Sequence, residues 1–283
     1  MNDFGKKIWL LLSKLVPKTR VGDKFIAYAN FLRSHRRLPS RRLLNDRLFS
    51  LKTSDEILDV LRQYTTDKEF VKAYIKNCVG DMYNVETKAI LRNEHEIRNY
   101  PFSIGDVAKP THSSGLVYFV DKLNFDKDVL VSWIHQNYYD KSREANYRYL
   151  SPKIIIENPI FGRFDVEDIK FFCVEGIVKV IQWDFDRHEH HTRMLYDRGW
   201  NALDASLGYP KAKKCQRKPK KLDEMIGVAE KLAKPFSLVR IDMYYDEETE
   251  TFLVGEITHC HGSANESFDS AQSEIRVAKV LFD

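Results

Sequence analysis

The sequence predicts an α+β fold with antiparallel sheets and a helical region at the start of the chain. Three observations predict it: helical signals across residues 1–66, alternating extended segments after Gly80, and an acidic hairpin near the end. The 283 residues are 43% hydrophobic and include 17 Phe, 14 Tyr and 4 Trp. That composition excludes a disordered chain and allows a sizeable core.

Helices are predicted where apolar residues recur every three or four positions. One helix is predicted over residues 54–64, which begin with a capping serine and two acids. A second helix is predicted over residues 67–76, with Thr66 as its capping residue. Further helices are predicted over residues 128–138 and 222–234.

Strands are predicted where extended segments are bounded by turn signals. Glu175 and Gly176 form one such turn, so the segments on either side of it should pair as a hairpin. The predicted strands cover residues 103–108, 115–120, 153–157, 169–174 and 178–184.

The most informative pattern is a late pair of carboxylates, Asp242 and Glu256. Residues two apart on a strand share a face, so Arg240 lies beside Asp242 and Thr258 beside Glu256. The acidic turn between the two segments predicts a hairpin that brings the two acids together. Two adjacent carboxylates repel unless a cation or a proton lies between them. Mg²⁺ binds few carboxylates and takes phosphate oxygens, so the pattern predicts a nucleotide–metal site. A pair of solvated hairpin acids is the alternative.

A second pattern suits phosphate binding. Lys109 and Pro110 end a strand, and Ser113, Ser114 and Gly115 follow in a small polar loop. Lysine supplies a compact charge, and small residues let backbone N–H groups approach an anion. An ordinary hairpin turn would have the same composition.

Two further segments are compatible with a nucleotide site. Lys68 and Lys72 lie four residues apart, on one face of the predicted helix, although a solvated face has the same spacing. The extended segment after Glu157, which contains Asn158 and Ile160, could present backbone groups to an adenine edge or serve as a plain linker.

The net charge, the cysteine spacing and the lengths of the apolar runs limit the classes of protein to which this sequence could belong. The net charge of +4 is too small to indicate nucleic-acid binding. The four cysteines have no CxxC spacing, which favours a reducing cytoplasm, and no apolar run reaches the ~20 residues of a membrane span. An apolar start at residues 6–16 and a basic stretch at residues 18–47 leave open a peripheral contact with the inner face of the cytoplasmic membrane.

The order of these motifs resembles the ATP-grasp superfamily, which includes D-alanine–D-alanine ligase. Five motifs follow the family order, at Asp67, Lys68 and Lys72; at residues 107–115; at Glu157 and Ile160; at Arg240 and Asp242; and at Glu256 and Thr258. Thr258 stands where many members have Asn, and the loop after Pro110 has fewer glycines than usual.

A closer resemblance is to the TupA-like ATP-grasp proteins of bacterial surface-polysaccharide gene clusters. It is carried by residues 168–176 (DIKFFCVEG), 184–187 (DFDR), 196–201 (YDRGWN) and 255–258 (GEIT). The resemblance implies an ATP-grasp fold, in which two α+β subdomains with antiparallel sheets grip the nucleotide. The expected boundaries are a basic helical region at 1–66, a lid subdomain at 67–156 and a catalytic core at 157–283.

The resemblance also implies ATP and Mg²⁺ as ligands and assigns residue roles. Arg240 and Lys170 are implied to be catalytic. The residues implied to bind the nucleotide are Lys72, Lys109, Ser113, Ser114, Gly115, Glu157, Asn158, Ile160 and Asp168. Asp242, Glu256 and Thr258 are the implied metal ligands. Arg187, Arg193, His259 and His261 are candidate substrate contacts.

The implied activity is that of an ATP-dependent carboxylate–amine ligase acting through an acyl phosphate. The carboxylate would be a uronic acid or an amino acid of a surface polysaccharide, and the amine an amino acid or amino sugar, with no nucleic-acid partner. A sugar kinase on the same fold is the nearest alternative. A glycosyltransferase using Asp184 and Asp186, or a glycan-binding accessory protein, is a more distant one. The run of histidines at residues 188–191 fits a polar loop better than a transition-metal site. The oligomeric state is left open.

Overall fold

The computed structural model describes residues 13, 15–122, 124–163, 166–185, 190–213 and 215–283. Most of the apolar start at residues 6–16 lies outside this part of the chain, as do Asp186, Arg187 and His188.

Short helices form the N-terminal region. They are α1 (Arg20–His35), α2 (Leu44–Thr53), a 3₁₀ turn (Asp55–Leu58) and α3 (Val60–Thr66). The prediction of one continuous helix over residues 54–64 is wrong, because the chain breaks at Asp59. The Asp59 side chain caps α3 by accepting hydrogen bonds from the backbone N–H groups of Leu61 and Arg62.

Helix α4 spans Phe70–Val79, so it begins later than the start predicted from the capping residue Thr66. Lys68 therefore precedes the helix, and the prediction that Lys68 and Lys72 share a helical face is wrong. Lys68 Nζ instead donates to the backbone oxygen of Ser113, at 2.5 Å. That bond ties the start of α4 to the polar loop.

The first sheet is antiparallel. Its strands are β1 (Thr87–Leu91), β2 (Val107–Pro110), β3 (Tyr118–Phe119) and β4 (Ile154–Glu157), in the order β1-β4-β2-β3. A 3₁₀ turn at Asp81–Tyr83 precedes β1, and α5 (Glu94–Asn99), α6 (Asp128–Ile134), α7 (Tyr138–Ser142) and a 3₁₀ turn at Ala145–Tyr147 lie between the strands. Ala108, Ile154 and Ile156 share a buried cluster with residues of α5 and α6. The alternation of the strands therefore leaves Lys109 and Glu157 on the opposite face.

The second sheet is also antiparallel. Its strands are β5 (Asp168–Val174), β6 (Ile177–Phe185), β7 (Thr192–Asp197), β8 (Leu238–Asp246) and β9 (Thr251–Thr258), in the order β7-β6-β5-β8-β9. Helices α8 (Leu222–Ala233) and α9 (Ala271–Phe282) and 3₁₀ turns at Ile160–Gly162 and His261–Ala264 complete the chain.

Strand alternation separates the core of the second sheet from its polar face. Phe171, Ile241 and Met243 pack in the main hydrophobic cluster with the apolar side of α8. Lys170 and Asp242 pair directly across β5 and β8 and point to the other face. The predicted α+β class with antiparallel sheets is confirmed, and among the described residues no helix has the length and hydrophobicity needed to cross a membrane.

Candidate active site

The polar faces of the two sheets line a common cavity of about 560 Å³. The first sheet and the segments around it contribute Lys68, Lys72, Lys109, Ser114, Gly115, Glu157 and Ile160. The second sheet and the loops beside it contribute Asp168, Lys170, Asp184, Arg193, Arg240, Asp242, Tyr244, Glu256 and Glu266. We call this cavity the cleft.

On the side of the first sheet, two lysines share one carboxylate. Glu157 Oε1 lies 2.6 Å from Lys72 Nζ, and Glu157 Oε2 lies 2.9 Å from Lys109 Nζ. Burial alone would raise the pKa of Glu157, but the positive charges of Lys109 and Lys72 lower it below its ordinary value. The Glu157 carboxylate therefore pairs with the two lysines that the sequence assigns to phosphate.

The polar loop after β2 lies at the edge of the cleft. Ser114 and Gly115 line the cavity, and Ser113 is buried and holds Lys68 through its carbonyl oxygen. Gly115 has φ +78°, a conformation that side chains rarely adopt, which explains glycine at this position. Burial lowers the pKa of Lys68, so a neighbouring anion would offset the cost of its charge there.

On the side of the second sheet, β8 and β9 form the hairpin that the sequence predicts. Asp242 and Glu256 are direct cross-strand partners, as are Arg240 and Thr258. Arg240 binds Asp242 through two hydrogen bonds, Nε to Oδ1 at 2.7 Å and Nη2 to Oδ2 at 2.6 Å. Thr258 Oγ1 donates to Glu256 Oε1 at 3.1 Å.

The charges around Glu256 favour its ionised form. Burial would raise its pKa, but Lys68 and Arg240 lower it below the ordinary value. Lys68 Nζ lies 4.0 Å from Glu256 Oε2, so one lysine near the first sheet already reaches the hairpin acids. The two sides of the cleft are therefore in electrostatic contact.

A β-bulge beside the acid pair depends on Gly255. The register shifts next to Asp242, which pairs with Glu256, whereas Met243 pairs with Val254. A Cβ on Gly255 would lie 2.6 Å from the ring of Tyr244. The missing side chain thus lets the Tyr244 ring lie against the strand that carries Glu256.

A buried ion network lies along β5, β6 and β7. Lys170 forms an ion pair with Asp168 and lies 2.8 Å from Asp184 Oδ2, and Arg193 Nε lies 2.5 Å from Asp184 Oδ1. Burial would raise the pKa of Asp184, but Lys170 and Arg193 lower it well below its ordinary value. Arg193, a predicted substrate contact, thus binds Asp184 of the sheet.

In the segment after Glu157, the side chains of the two predicted site residues lie in different places, Ile160 in the cleft and Asn158 at the surface. Ile160 lines the cleft. Asn158 turns away and donates its side-chain amide to Glu86, at 2.9 Å. Any contact of Asn158 with a nucleotide would therefore come from its backbone.

The two candidate histidines occupy different environments. Both ring nitrogens of His259 are engaged, Nδ1 with Arg62 at 3.0 Å and Nε2 with Thr65 at 2.9 Å. A substrate contact through His259 would require one of these bonds to break. His261 Nδ1 lies 3.4 Å from Glu266 Oε2. Arg187 lies outside the described part of the chain.

The side chains of the cleft that could bind a metal ion suit a metal that takes most of its ligands from phosphate and water. The described residues contain no cluster of three or more His, Cys, Asp or Glu side chains able to hold a metal ion. The cleft instead offers two adjacent carboxylates, Asp242 and Glu256, close to four lysines, Lys68, Lys72, Lys109 and Lys170. Mg²⁺ with phosphate oxygens fits that composition better than zinc does.

A family model described as TupA-like ATPgrasp matches residues 46–276. The chain belongs to the TupA-like ATP-grasp family. The resemblance drawn from the sequence is thereby confirmed, and with it the ATP-grasp fold. No curated protein matches the chain.

Several solved structures resemble this TupA-like ATP-grasp protein. D-alanine–D-alanine ligase from Helicobacter pylori is 18% identical, with 77% of this chain and 61% of that chain covered and a TM-score of 0.41. L-amino acid ligase from Bacillus licheniformis is 14% identical, with 77% and 49% covered and a TM-score of 0.46. The chain spans less than two thirds of the length of either protein.

The cleft of this TupA-like ATP-grasp protein is also lined by residues that were not predicted as site residues. Four of them with polar or ionisable side chains are Lys68, Asp184, Tyr244 and Glu266. Lys68 belongs to a motif that the sequence did single out, and Asp184 and Tyr244 pair with Asp168 on neighbouring strands, so strand register could have found them. Glu266 follows an irregular turn, and no sequence pattern indicates it.

Proposed function

We propose that this protein is an ATP-dependent carboxylate–amine ligase. The observation that supports the proposal most directly is the meeting of two charge sets at one cavity. Lysines from the first sheet and from the start of α4 face two carboxylates of the β8–β9 hairpin. Phosphoryl transfer needs such an arrangement, because its catalysis is mostly positioning and charge stabilisation.

In this proposal the lysines bind the phosphates of ATP. Lys72 and Lys109 would exchange their pairing with Glu157 for pairing with phosphate oxygens. Asp242 and Glu256, with Thr258 beside them, would hold Mg²⁺. A bound Mg²⁺ supplies charge neutralisation between phosphate oxygens.

Two further residues, Lys170 and Arg240, would orient the reacting groups and stabilise the charge that develops on them. Lys170 lies between Asp168 and Asp184 on the second sheet and would face the transferred phosphoryl group. Arg240 is buried against Asp242, whose charge and hydrogen bonds keep the Arg240 guanidinium protonated even though burial opposes its charge. Arg240 would stabilise the charge that develops as a substrate carboxylate attacks the γ-phosphorus. The resulting acyl phosphate would be displaced by an amine to give an amide.

The substrate class in this proposal rests on the family resemblance and on the basic groups of the cleft. A TupA-like member would act on a uronic acid or amino acid of a bacterial surface polysaccharide. The basic groups of the cleft, including Arg193 and Arg163, are compatible with an acidic sugar. A requirement for ATP would place the reaction in the cytoplasm.

Thermal unfolding with and without ligands tests nucleotide binding first. We expect MgATP to raise the melting temperature more than ATP or Mg²⁺ alone, because a ligand that binds the folded state stabilises it by mass action. The absence of any shift would count against the site.

A second assay separates the ligase from a kinase. The protein would be incubated with MgATP and a panel of uronic acids and amino acids, with hydroxylamine to trap an acyl phosphate as a hydroxamate. Hydroxamate formation, together with amine-dependent phosphate release, supports the ligase. ADP formation with a stable phosphoester would instead support a sugar kinase.

A further inference from the structure

A second cavity of about 590 Å³ adjoins the cleft. The two cavities share lining residues at Ser114, Gly115, Arg240 and Glu256. A molecule in the second cavity would therefore approach the reacting centre beside Arg240. The cleft residues proposed to bind phosphate, Lys72, Lys109 and Lys170, do not line this cavity.

The lining of the second cavity differs chemically from that of the cleft. It is dominated by amide and hydroxyl groups, from Gln136, Asn137, Ser142, Asn146, Ser263 and Asn265. Tyr138 and Tyr147 lie against each other there, with their ring centroids 4.5 Å apart. Such a lining suits a ligand with several hydroxyl groups, which needs hydrogen bonds from neutral side chains and contact with aromatic rings.

Two buried polar atoms in this lining lack a hydrogen-bond partner. Asn146 is 1% exposed, and its Oδ1 accepts no hydrogen bond although its Nδ2 donates to Thr66. His261 is 4% exposed, and its Nε2 has no partner. Unpaired buried polar atoms are costly, and both side chains belong to the lining of the cavity.

Glu144 adds a buried carboxylate to the amide and hydroxyl groups of the lining. It is 5% exposed and accepts a hydrogen bond from Ser263 Oγ at 2.6 Å, and Ser263 Oγ in turn lies 2.7 Å from Lys52 Nζ. Burial raises the pKa of Glu144, which makes its carboxylate a stronger base. Burial raises the pKa of Tyr138, and the charges of Glu144 and Glu256 raise it further, so the tyrosine lies within electrostatic range of both acids.

We propose that the second cavity binds the amine substrate, that this substrate is an amino sugar, and that Glu144 binds its ammonium group and accepts a proton from it. This inference rests on the proposed ligase function. A free amino acid fits less well, because its carboxylate would need a cation. Lys141 of the lining is exposed, and Arg240 is already bound to Asp242.

In the proposed step the amine nitrogen loses two protons and takes the acyl group from phosphate. The ammonium gives one proton to Glu144, and the nitrogen lone pair forms the new C–N bond with the acyl carbon. The bond from that carbon to the phosphate oxygen breaks, and its electron pair leaves with the phosphate. The second proton leaves the nitrogen with the phosphate, as HPO₄²⁻, and Glu144 releases its proton to solvent.

The experiment compares two nucleophiles on the full-length protein. Hydroxylamine is small and neutral at pH 7.5, so it should trap the acyl phosphate without needing Glu144. D-glucosamine should need it. We expect Glu144→Gln to lower glucosamine-dependent amide formation at least 50-fold and to change hydroxamate formation less than threefold. Glu94→Gln, an exposed acid on α5, is the matched control and should change neither rate.

Each outcome has one meaning. If the wild type makes no hydroxamate with any carboxylate, the ligase function fails, and this inference falls with it. If hydroxamate forms and Glu144→Gln leaves the glucosamine reaction intact, the ligase stands and the role of Glu144 is overturned. If glycine or alanine is used more efficiently than glucosamine by the wild type, the assignment to an amino sugar is wrong.

A second variant covers the case in which Glu144→Gln does not fold. Asn146→Ala removes an amide group from the lining of the cavity, and we expect it to raise the KM for glucosamine at least fivefold with little change in hydroxamate formation. An unchanged KM for glucosamine would overturn the assignment of the cavity.

Discussion

The two sides of the cleft hold their charges in different ways. On the hairpin side, Arg240, Asp242 and Glu256 come from two consecutive strands, and strand register alone places them together. On the other side, Lys72 comes from α4 and Lys109 and Glu157 from two strands of the first sheet. Their meeting depends on the packing of a helix against the sheet.

The difference has a functional consequence. The hairpin acids are positioned by backbone hydrogen bonds, so a cation held there, as proposed, would meet a fixed pair of ligands. The lysines are held by an ion pair with Glu157 that an anionic ligand can replace. We therefore expect substitutions on the hairpin side to affect chemistry and substitutions on the lysine side to affect nucleotide affinity.

The largest effect is expected from the hairpin acids. Asp242→Asn and Glu256→Gln each remove a charge at the proposed metal site, and Asp242→Asn also deprives Arg240 of its charged carboxylate partner. Loss of one preorganised electrostatic contact typically lowers kcat about 10²- to 10³-fold. Phosphate release with a productive pair of substrates measures the effect.

Glu247→Gln is the matched control for these two substitutions. Glu247 lies in the turn of the same hairpin and is exposed. Its substitution should leave phosphate release within twofold of the wild type. Equal losses in Glu247→Gln and Asp242→Asn would show that the hairpin responds to charge in general, and the metal assignment would be lost.

Acid sensitivity of stability is the second test, and it concerns Glu266 on the hairpin side. Burial would raise the pKa of Glu266, but the hydrogen bond from His261 and the charge of Arg193 lower it from 4.5 to about 2. A lowered folded-state pKa stabilises the protein above the unfolded value, and that stability is lost as the pH falls from 4.5 towards 2.

The expected contribution of Glu266 above pH 5 is up to about 3 kcal/mol, from about 1.4 kcal/mol per unit of pKa. Urea unfolding of the wild type and of Glu266→Gln, from pH 7 down to pH 3, measures it. The two free energies of unfolding should converge on acidification. If the difference between the two free energies of unfolding stays constant with pH, the charge of the Glu266 carboxylate does not contribute to stability.

The lysine side should give a smaller effect, on affinity. Lys72→Ala removes one of the proposed phosphate contacts and leaves Lys109 as the remaining lysine partner of Glu157. A hydrogen bond to a charged group contributes about 1.5–3 kcal/mol, so the Kd for MgATP should rise about 10- to 100-fold. Isothermal titration calorimetry measures it. Lys76→Ala, on the same helix but exposed and paired with Asp81, should leave the Kd unchanged.

The same contrast explains what could be predicted from the sequence. The pairing of Asp242 with Glu256 follows from period-two alternation and an acidic turn, both of which are local. The strands at 169–174 and 178–184 were also predictable, since Gly176 marks their turn. Local signals were therefore sufficient wherever neighbouring segments pair.

Interactions between distant segments were not predictable in this way. The bridging of Lys72 and Lys109 by Glu157 joins a helix to two strands that lie far apart in sequence. The irregular turn His261–Ala264, which leads to Glu266, contains Ser263 at φ +57°, and no sequence rule for turns predicts such a conformation there. No sequence motif indicates Glu144, in the second cavity, as a site residue.

The smallest expected effect concerns Asn158, where the family resemblance and the side-chain geometry differ. The resemblance places Asn158 at the adenine, but its side-chain amide donates to Glu86 at the surface. Any contact with the base would use backbone groups, which substitution with alanine preserves. Asn158→Ala should therefore change the Kd for MgATP less than twofold, measured beside Lys72→Ala. A tenfold loss would mean that the Asn158 side chain turns into the cleft when the nucleotide binds, and the segment after Glu157 would then be a moving part of the site.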